Sequence, residues 1–261
     1  MEHFLFKYLQ EKKHIVSLVG AGGKTTVMYQ LAEHFAKLGK KVLVTTTTHI
    51  FQPVCNFAES VAEVEALWQA GCYAVVGSVE AGTGKLTQLS EAVLENYCRL
   101  ADLVLIEADG AKRLPCKAPA ENEPVLLDVS DTVIAVMGLD ALHKPISEVC
   151  FRLEKVQEVL GVASEHCLNE EDAVELLLSE QGAFKNVGQR NYFIVLNKCD
   201  DENRLNSALK IKSLLEKGAF NGLDFVLGAA SNPVAIELAD DIVSSGAVFI
   251  DNSSAFRMNG D

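Results

Sequence analysis

Two rhythms of hydrophobic positions divide the chain. Continuous apolar runs occupy Ile15–Val19, Lys41–Thr48, Tyr73–Gly77, Asp102–Glu107, Asp131–Met137, Asn191–Leu196 and Leu223–Gly228. Runs of this length without polar alternation predict strands buried on both faces. Between them apolar residues recur at helical spacing. Val27, Met28, Leu31, Phe35 and Leu38 predict a helix from Lys24, stopped by Gly39-Lys40, and Val61, Val64 and Leu67 mark one face of a helix over Ser60–Ala70. Further helices are predicted over Leu89–Leu100, Glu148–Leu160, Glu170–Ser179 with Asn169 as N-cap, and Leu205–Lys217. Met1–Lys13 reads as a short amphipathic helix with Phe4, Leu5, Tyr8 and Leu9 inward. His49–Pro53 reads as loop, Glu80–Leu86 as a hairpin or loop, and Val243–Asp251 as an edge strand before a polar tail. Lys112–Pro124, with three prolines, is expected to be irregular.

Strands alternating with helices predict a mostly parallel sheet covered on both faces, with ligands beyond the carboxyl ends of its strands. The helical stretch at roughly 140–190 interrupts the alternation as a small insertion in a single domain over 1–261. There is no internal repeat and no low-complexity segment.

Charge narrows the partners. Lys and Arg total 23 against 36 Asp and Glu, for a net charge of −13. Such a surface repels nucleic acid and anionic lipid, so neither is expected as a partner, and an anionic ligand needs a local site. No apolar run is long enough to span a membrane, and the N-terminus lacks the apolar core and cleavage site of a leader. The seven cysteines have no C-x-x-C pair, which predicts a cytoplasmic chain of free thiols.

That local site is legible at Gly20-Ala-Gly-Gly-Lys-Thr-Thr26, between the first strand and the first long helix. Glycines there keep side chains away from a bound anion, and the helix N-terminus presents N–H groups and a positive dipole end. Lys24 is expected on the β/γ-phosphates and Thr25 on Mg²⁺, with Gly20, Ala21, Gly22, Gly23 and Thr26 completing the turn. The phosphate-loop pattern asks for glycine where this chain has Leu18. The expected fold is therefore a P-loop NTPase-like three-layer α/β sandwich.

Two further stretches follow strands. Glu107-Ala-Asp-Gly110 supplies an acid for Mg²⁺, with the choice between Glu107 and Asp109 open and the other acid left to orient water. Lys24, Glu107 and Asp109 are the candidate catalytic residues, and Thr25, Glu107 and Asp109 the candidate metal ligands. Asn197-Lys-Cys-Asp200 is similar to the N-K-x-D guanine motif of GTPases. The Asp200 carboxylate accepts from guanine N1–H and N2–H₂, donors that adenine lacks on that edge. Lys198 would cover the base, Asn197 would tie the loop to the phosphate loop, and Gly228–Ser231 would contact the base carbonyl. The competing reading is that Asp200 or Asp201 caps the following helix. Thr45–Thr48 and His49 are candidates for contact with metal or substrate, against plain roles as a strand end and a surface histidine. Cys55 and Cys116 are read as plain thiols near the site.

Val42–His49, Ile106–Arg113, Lys117–Pro124 and Gly138–Pro145 together resemble the YqeC family, accessory proteins of selenium-dependent molybdenum hydroxylases. The resemblance implies a maturation role. The family carries a His-Arg pair after the Lys-Pro element. Here the stretch reads Cys150-Phe-Arg152, so a role of that histidine does not transfer and Arg152 persists.

Three functions stay open: a Mg²⁺-dependent GTPase, an ATP-using kinase or ligase with a phosphate loop like that of the Mur ligases, and a nucleotide-gated binding module. All share Lys24. Lys24→Ala is expected to abolish nucleotide binding while the far-ultraviolet circular dichroism stays that of wild type. Equilibrium titration with a fluorescent nucleotide measures it, and unchanged affinity refutes the phosphate-loop reading.

Overall fold

In the computed structural model of the chain, the described backbone covers residues 4–217, 225–229 and 248–251, and the described side chains residues 5–216. An eight-stranded sheet runs, in spatial order, Val248–Asp251, Phe225–Ala229, Asn191–Asn197, Thr132–Gly138, His14–Gly20, Leu103–Glu107, Val42–Thr46 and Ala74–Val75. Every adjacent pair is parallel. The phosphate-loop strand His14–Gly20 lies at the centre, with the acid strand Leu103–Glu107 hydrogen-bonded directly to it, Leu18 opposite Glu107.

Successive side chains of a strand point to opposite faces, and the apolar runs fill both. Val16, Leu18, Leu103 and Leu105 pack with Val27, Leu31 and Phe35 of the Lys24–Lys37 helix. Ile15, Val104 and Ile106 pack on the other face with Val64, Leu94 and Tyr97, from the helices Val61–Gln69 and Glu91–Leu100. Val133, Ala135 and Met137 meet Ile146, Val156 and Leu176 of the helices Ile146–Val149, Leu153–Leu160 and Glu170–Leu178. These layers make the α/β sandwich that the apolar runs predict, with the Asn169 cap on the Glu170–Leu178 helix in place. The N-terminal helix Phe4–Glu11 buries Leu5 and Leu9. It is pinned by the buried His14, whose Nδ1 meets Asp131 at 3.0 Å and whose Nε2 meets the Tyr8 carbonyl at 2.8 Å.

Three expectations are corrected. His49–Phe51 is not loop but a strand, paired antiparallel with Lys85–Thr87, which pairs in turn with Ser78–Glu80. Three residues carry too little alternation to be read, and the strand forms because Ile50 and Leu86 bury against the main core. The single helix expected over Glu148–Leu160 breaks. Cys150–Phe151 leaves it to pair in parallel with Cys116–Lys117, and Arg152 turns into the left-handed region at φ 61°. The proline-rich segment needs a partner for its backbone, and that pairing overrides helix propensity. Leu38 does not face the core: it caps the helix C-terminus and is 52% exposed. Residues 230–231 and 243–247, the end of the Gly228–Ser231 loop and the first part of the expected edge strand, lie outside the described residues.

Phe35 is fully buried where the phosphate-loop helix meets the sheet. Phe35→Ala is expected to lower unfolding stability by about 3–5 kcal/mol through lost burial and cavity formation. Urea denaturation with an unchanged slope measures it.

Candidate nucleotide site

The phosphate loop is held by backbone contacts that only glycine permits. Gly20, Gly22 and Gly23 have φ of 92°, 76° and 116°. A Cβ on Gly20 would lie 2.3 Å from the Val136 carbonyl oxygen, and one on Gly22 would lie 2.1 Å from Gly138 N. The close approach serves hydrogen bonds: Ala21 N–H donates to Val136 O at 2.8 Å and Gly22 N–H to Leu114 O at 3.1 Å. This modifies the expected cradle. The amides of Ala21 and Gly22 anchor the loop to its neighbours, so the donors left for an anion are those of Gly23 and the first helical turn, Lys24 to Thr26. Thr25 and Thr26 are exposed there.

The two acids after the Leu103–Glu107 strand divide their work. Thr25 Oγ1 donates to Glu107 Oε2 at 2.7 Å. Hydroxyl and carboxylate oxygens side by side are the donor set that suits Mg²⁺. Burial pushes the Glu107 carboxyl up, and Lys24 and Thr25 only partly oppose it. Asp109 sits elsewhere, 2% exposed. Its Oδ2 accepts from Gly20 N–H at 2.9 Å and from Lys117 Nζ at 2.9 Å. Its Oδ1 lies 3.0 Å from Lys24 Nζ, an ion pair without a well-directed hydrogen bond. Lys24 itself folds back to donate to Gly20 O at 2.7 Å.

Lys117 continues the chain of charge. It donates to Gly110 O at 2.7 Å and to Glu123 Oε2 at 2.7 Å. Arg152 grips Glu123 with both arms, Nη1 donating to Oε2 at 2.6 Å and Nη2 to Oε1 at 2.8 Å. Burial pushes Glu123 up, but the Arg152 and Lys117 cations outweigh it and hold the carboxyl down at about 2. Sequence reading took Lys117 and Glu123 only as part of the Lys117–Pro124 stretch that resembles the family, with no individual role for either. Their signal was charge inside an otherwise irregular, proline-rich stretch, Lys117-Ala-Pro-Ala-Glu-Asn-Glu-Pro124.

The Asn197–Asp200 stretch reaches the site from two strands along the sheet, beyond Thr132–Gly138. Asn197 Nδ2 donates to Gly22 O at 2.8 Å and so ties this loop to the phosphate loop. Lys198, at φ 62°, pairs with Asp140 at 2.8 Å. The helix cap is Asp201, whose Oδ1 accepts from Arg204 N–H at 2.9 Å, while Asp200 faces the Arg204 guanidinium at 2.9 Å.

The other candidates divide between scaffold beside the acid strand and positions apart from it. Thr46 donates to Glu107 O and Thr47 to Val125 O, both as scaffold, and the Thr45 hydroxyl is buried. His49 is an exposed residue of the small antiparallel sheet, 3.6 Å from Glu80. Cys55 is exposed in a loop, and Cys116 is buried in its short strand. Among the described residues no three His, Cys, Asp or Glu side chains gather as a metal cluster, and no helix is long and apolar enough to cross a membrane.

A glycine turn between a central strand and a helix, a lysine that opens the helix and an acid strand beside it give the sandwich a P-loop-like arrangement. The sequence comparisons place the chain in a family. The profile of the YqeC protein matches residues 16–154, and the YqeC protein of Escherichia coli (strain K12) is 34% identical over 197 residues, 69% of this chain and 73% of that one. The chain belongs to the YqeC family. A second profile, the semialdehyde dehydrogenase NAD binding domain, matches residues 170–261, less than half of the chain. Among solved structures, the MinC:MinD cell division complex of Aquifex aeolicus aligns with TM-score 0.37 and 12% identity, covering 92% of this chain and 81% of that one. FtsY of Mycoplasma mycoides aligns with TM-score 0.31 and 12% identity, covering 84% and 53%.

Glu123 carries the pH dependence that the ion chain predicts. Its folded value of about 2 lies below the ordinary 4.5, so the stability it contributes is fully present above about 4.5 and is lost as pH falls toward 2. Glu123→Gln is expected to be less stable than wild type at neutral pH, with the difference shrinking across that window. Urea midpoints at a series of pH values measure it, and a constant difference refutes the assignment.

Proposed function

We propose that the chain is a Mg²⁺-dependent nucleotide-binding protein. It hydrolyses nucleoside triphosphate, prefers GTP, and acts as an accessory factor in maturing a selenium-dependent molybdenum hydroxylase. The observation that carries the nucleotide reading is the hydrogen bond from Thr25 Oγ1 to Glu107 Oε2 at 2.7 Å, which joins the first turn of the Lys24–Lys37 helix to the end of the Leu103–Glu107 strand. It sets a hydroxyl and a carboxylate at the mouth of a glycine turn, where a phosphate-bound cation fits. Bound there, Mg²⁺ would neutralise charge on the β- and γ-phosphates.

The chain's own residues divide the remaining tasks. Gly23 to Thr26 present helix-end amides to the phosphates. Lys24 leaves Asp109 and Gly20 O to stabilise charge developing on the transferred phosphoryl group. Glu107 and Thr25 would supply oxygen ligands to the metal. Asp200 reads the base, sharing its carboxylate with Arg204, and Asn197 keeps that loop in register with the phosphate loop. The client protein follows from the family resemblance.

Competition of GDP against ADP tests the base. Tighter GDP is expected, since the charged pair of bonds to guanine is worth on the order of 2–4 kcal/mol. Asp200→Asn is expected to weaken guanine binding and move preference toward xanthine. Equal affinity or tighter ADP would turn the function to the ATP-using kinase or ligase. Tight GTP binding without turnover would leave a nucleotide-gated binding module. Glu107→Ala is expected to slow hydrolysis by on the order of a hundredfold with a much smaller loss of affinity. Normal turnover by this variant removes Glu107 from the metal site.

A further inference from the structure

We propose that Asp109 is a shared counter-ion for which Lys24 and Lys117 compete, and that Lys117, Glu123 and Arg152 are positioning residues that set nucleotide affinity through it. This rests on the nucleotide reading above and adds to it a control that reaches well away from the phosphates.

Five charges alternate in sign along one line: Lys24, Asp109, Lys117, Glu123 and Arg152. The successive separations are 3.0, 2.9, 2.7 and 2.6 Å. The side chains of the first four are at most 11% exposed, and that of Arg152 is 25% exposed. A carboxylate at such depth requires a cation.

The two lysines hold Asp109 unequally. Lys117 directs its three protons to three acceptors, Asp109, Gly110 O and Glu123, and has none left for another partner. Lys24 meets Asp109 Oδ1 at 3.0 Å without a well-directed bond and gives its aligned bond to Gly20 O. Lys24 is therefore the cation that can leave. When it turns to a phosphate, Asp109 keeps Lys117 and the Gly20 N–H, and the carboxylate stays compensated. Without Lys117, drawing Lys24 away would strand a buried charge, so Asp109 would hold Lys24 back. Lys117 thus favours nucleotide binding without touching the nucleotide.

Glu123 and Arg152 fix Lys117 from behind. The far end is anchored where Cys116–Lys117 pairs with Cys150–Phe151. Arg152 there lines a cavity of about 610 Å³ with Ala120, Asn122 and Lys155. By linkage, nucleotide that draws Lys24 off Asp109 strengthens the Asp109–Lys117 contact and steadies this segment.

The test titrates the full chain with fluorescent GDP and ADP in Mg²⁺, comparing wild type with Lys117→Met, Arg152→Met, Asp109→Asn and the double variants on Asp109→Asn. Lys117→Met is expected to weaken binding by about tenfold, the scale of one charge-assisted hydrogen bond, and Arg152→Met by less in the same direction. Asp109→Asn is expected to tighten it severalfold, because a neutral amide does not retain Lys24. On the Asp109→Asn background both losses should shrink to less than about twofold. A lysine with only a structural role would give the same loss on both backgrounds, and that result overturns the proposal. So does unchanged or tighter binding by Lys117→Met. If Lys117→Met does not fold, the Arg152→Met pair, at the exposed end of the chain, decides the matter by the same comparison. Failure of the wild type to bind either nucleotide overturns the nucleotide reading and this proposal with it. Normal wild-type binding with no cycle effect overturns this one only. Hydrogen exchange gives a second readout: protection over residues 150–156 should rise with nucleotide in wild type and not in Lys117→Met.

Discussion

Asp109 is a carboxylate with almost no access to water, and the site is arranged around the need to compensate it. Three separate pieces of chain answer that need: the Gly20 amide at the end of the central strand, Lys24 at the start of the helix, and Lys117 from the proline-rich segment. A buried anion tolerates little loss of partners. The demand therefore draws the acid loop, the phosphate loop and the Lys112–Pro124 segment together. Glu123 extends the demand one step further, to Arg152.

Backbone contact supplies the second constraint. The phosphate loop presses on Val136 and Gly138 of the next strand so closely that a methyl group at Gly20 or Gly22 has no room. Pro115 O accepts from Gly138 N–H at 2.9 Å, and Leu114 O accepts from Gly22 N–H at 3.1 Å. The loop that would carry phosphate is thus wedged between a strand and the proline-rich segment. Its glycines serve this wedge, and the amides that stay unengaged by it are those of Gly23 and the helix end.

The division of the two acids has the same origin. Glu107 is the last residue of its strand and points to Thr25 in the first turn of the Lys24–Lys37 helix. Asp109, two residues on, has left the strand and turns inward to the lysines. One acid then lies beside the Thr25 hydroxyl, and the other is held between two lysines and the Gly20 amide. Asn197 stitches the Asn197–Asp200 loop to the phosphate loop through Gly22 O, so a base site and a phosphate site would move as one body.

The sequence by itself determined what depends on neighbours in the chain. Apolar runs at Ile15–Val19 and Asp102–Glu107 are continuous because both faces of the sheet are covered, and Gly-Lys-Thr at 23–25 is legible because strand, turn and helix follow one another directly. Tertiary structure decided what depends on distant partners. Arg152 meets Glu123 across 29 positions, and no local pattern marks the pair. Cys150–Phe151 leaves a helical rhythm only because Cys116–Lys117 lies alongside. His49–Phe51 becomes a strand only when Lys85–Thr87 arrives to pair with it. Glu107 and Asp109 are near neighbours with the same chemistry, and only the turn of the backbone after the strand separates their roles. Periodicity reports which face of an element is buried. It carries no record of which buried charge will meet which, because that is set when non-adjacent segments pack and the interior requires each charge to find its opposite.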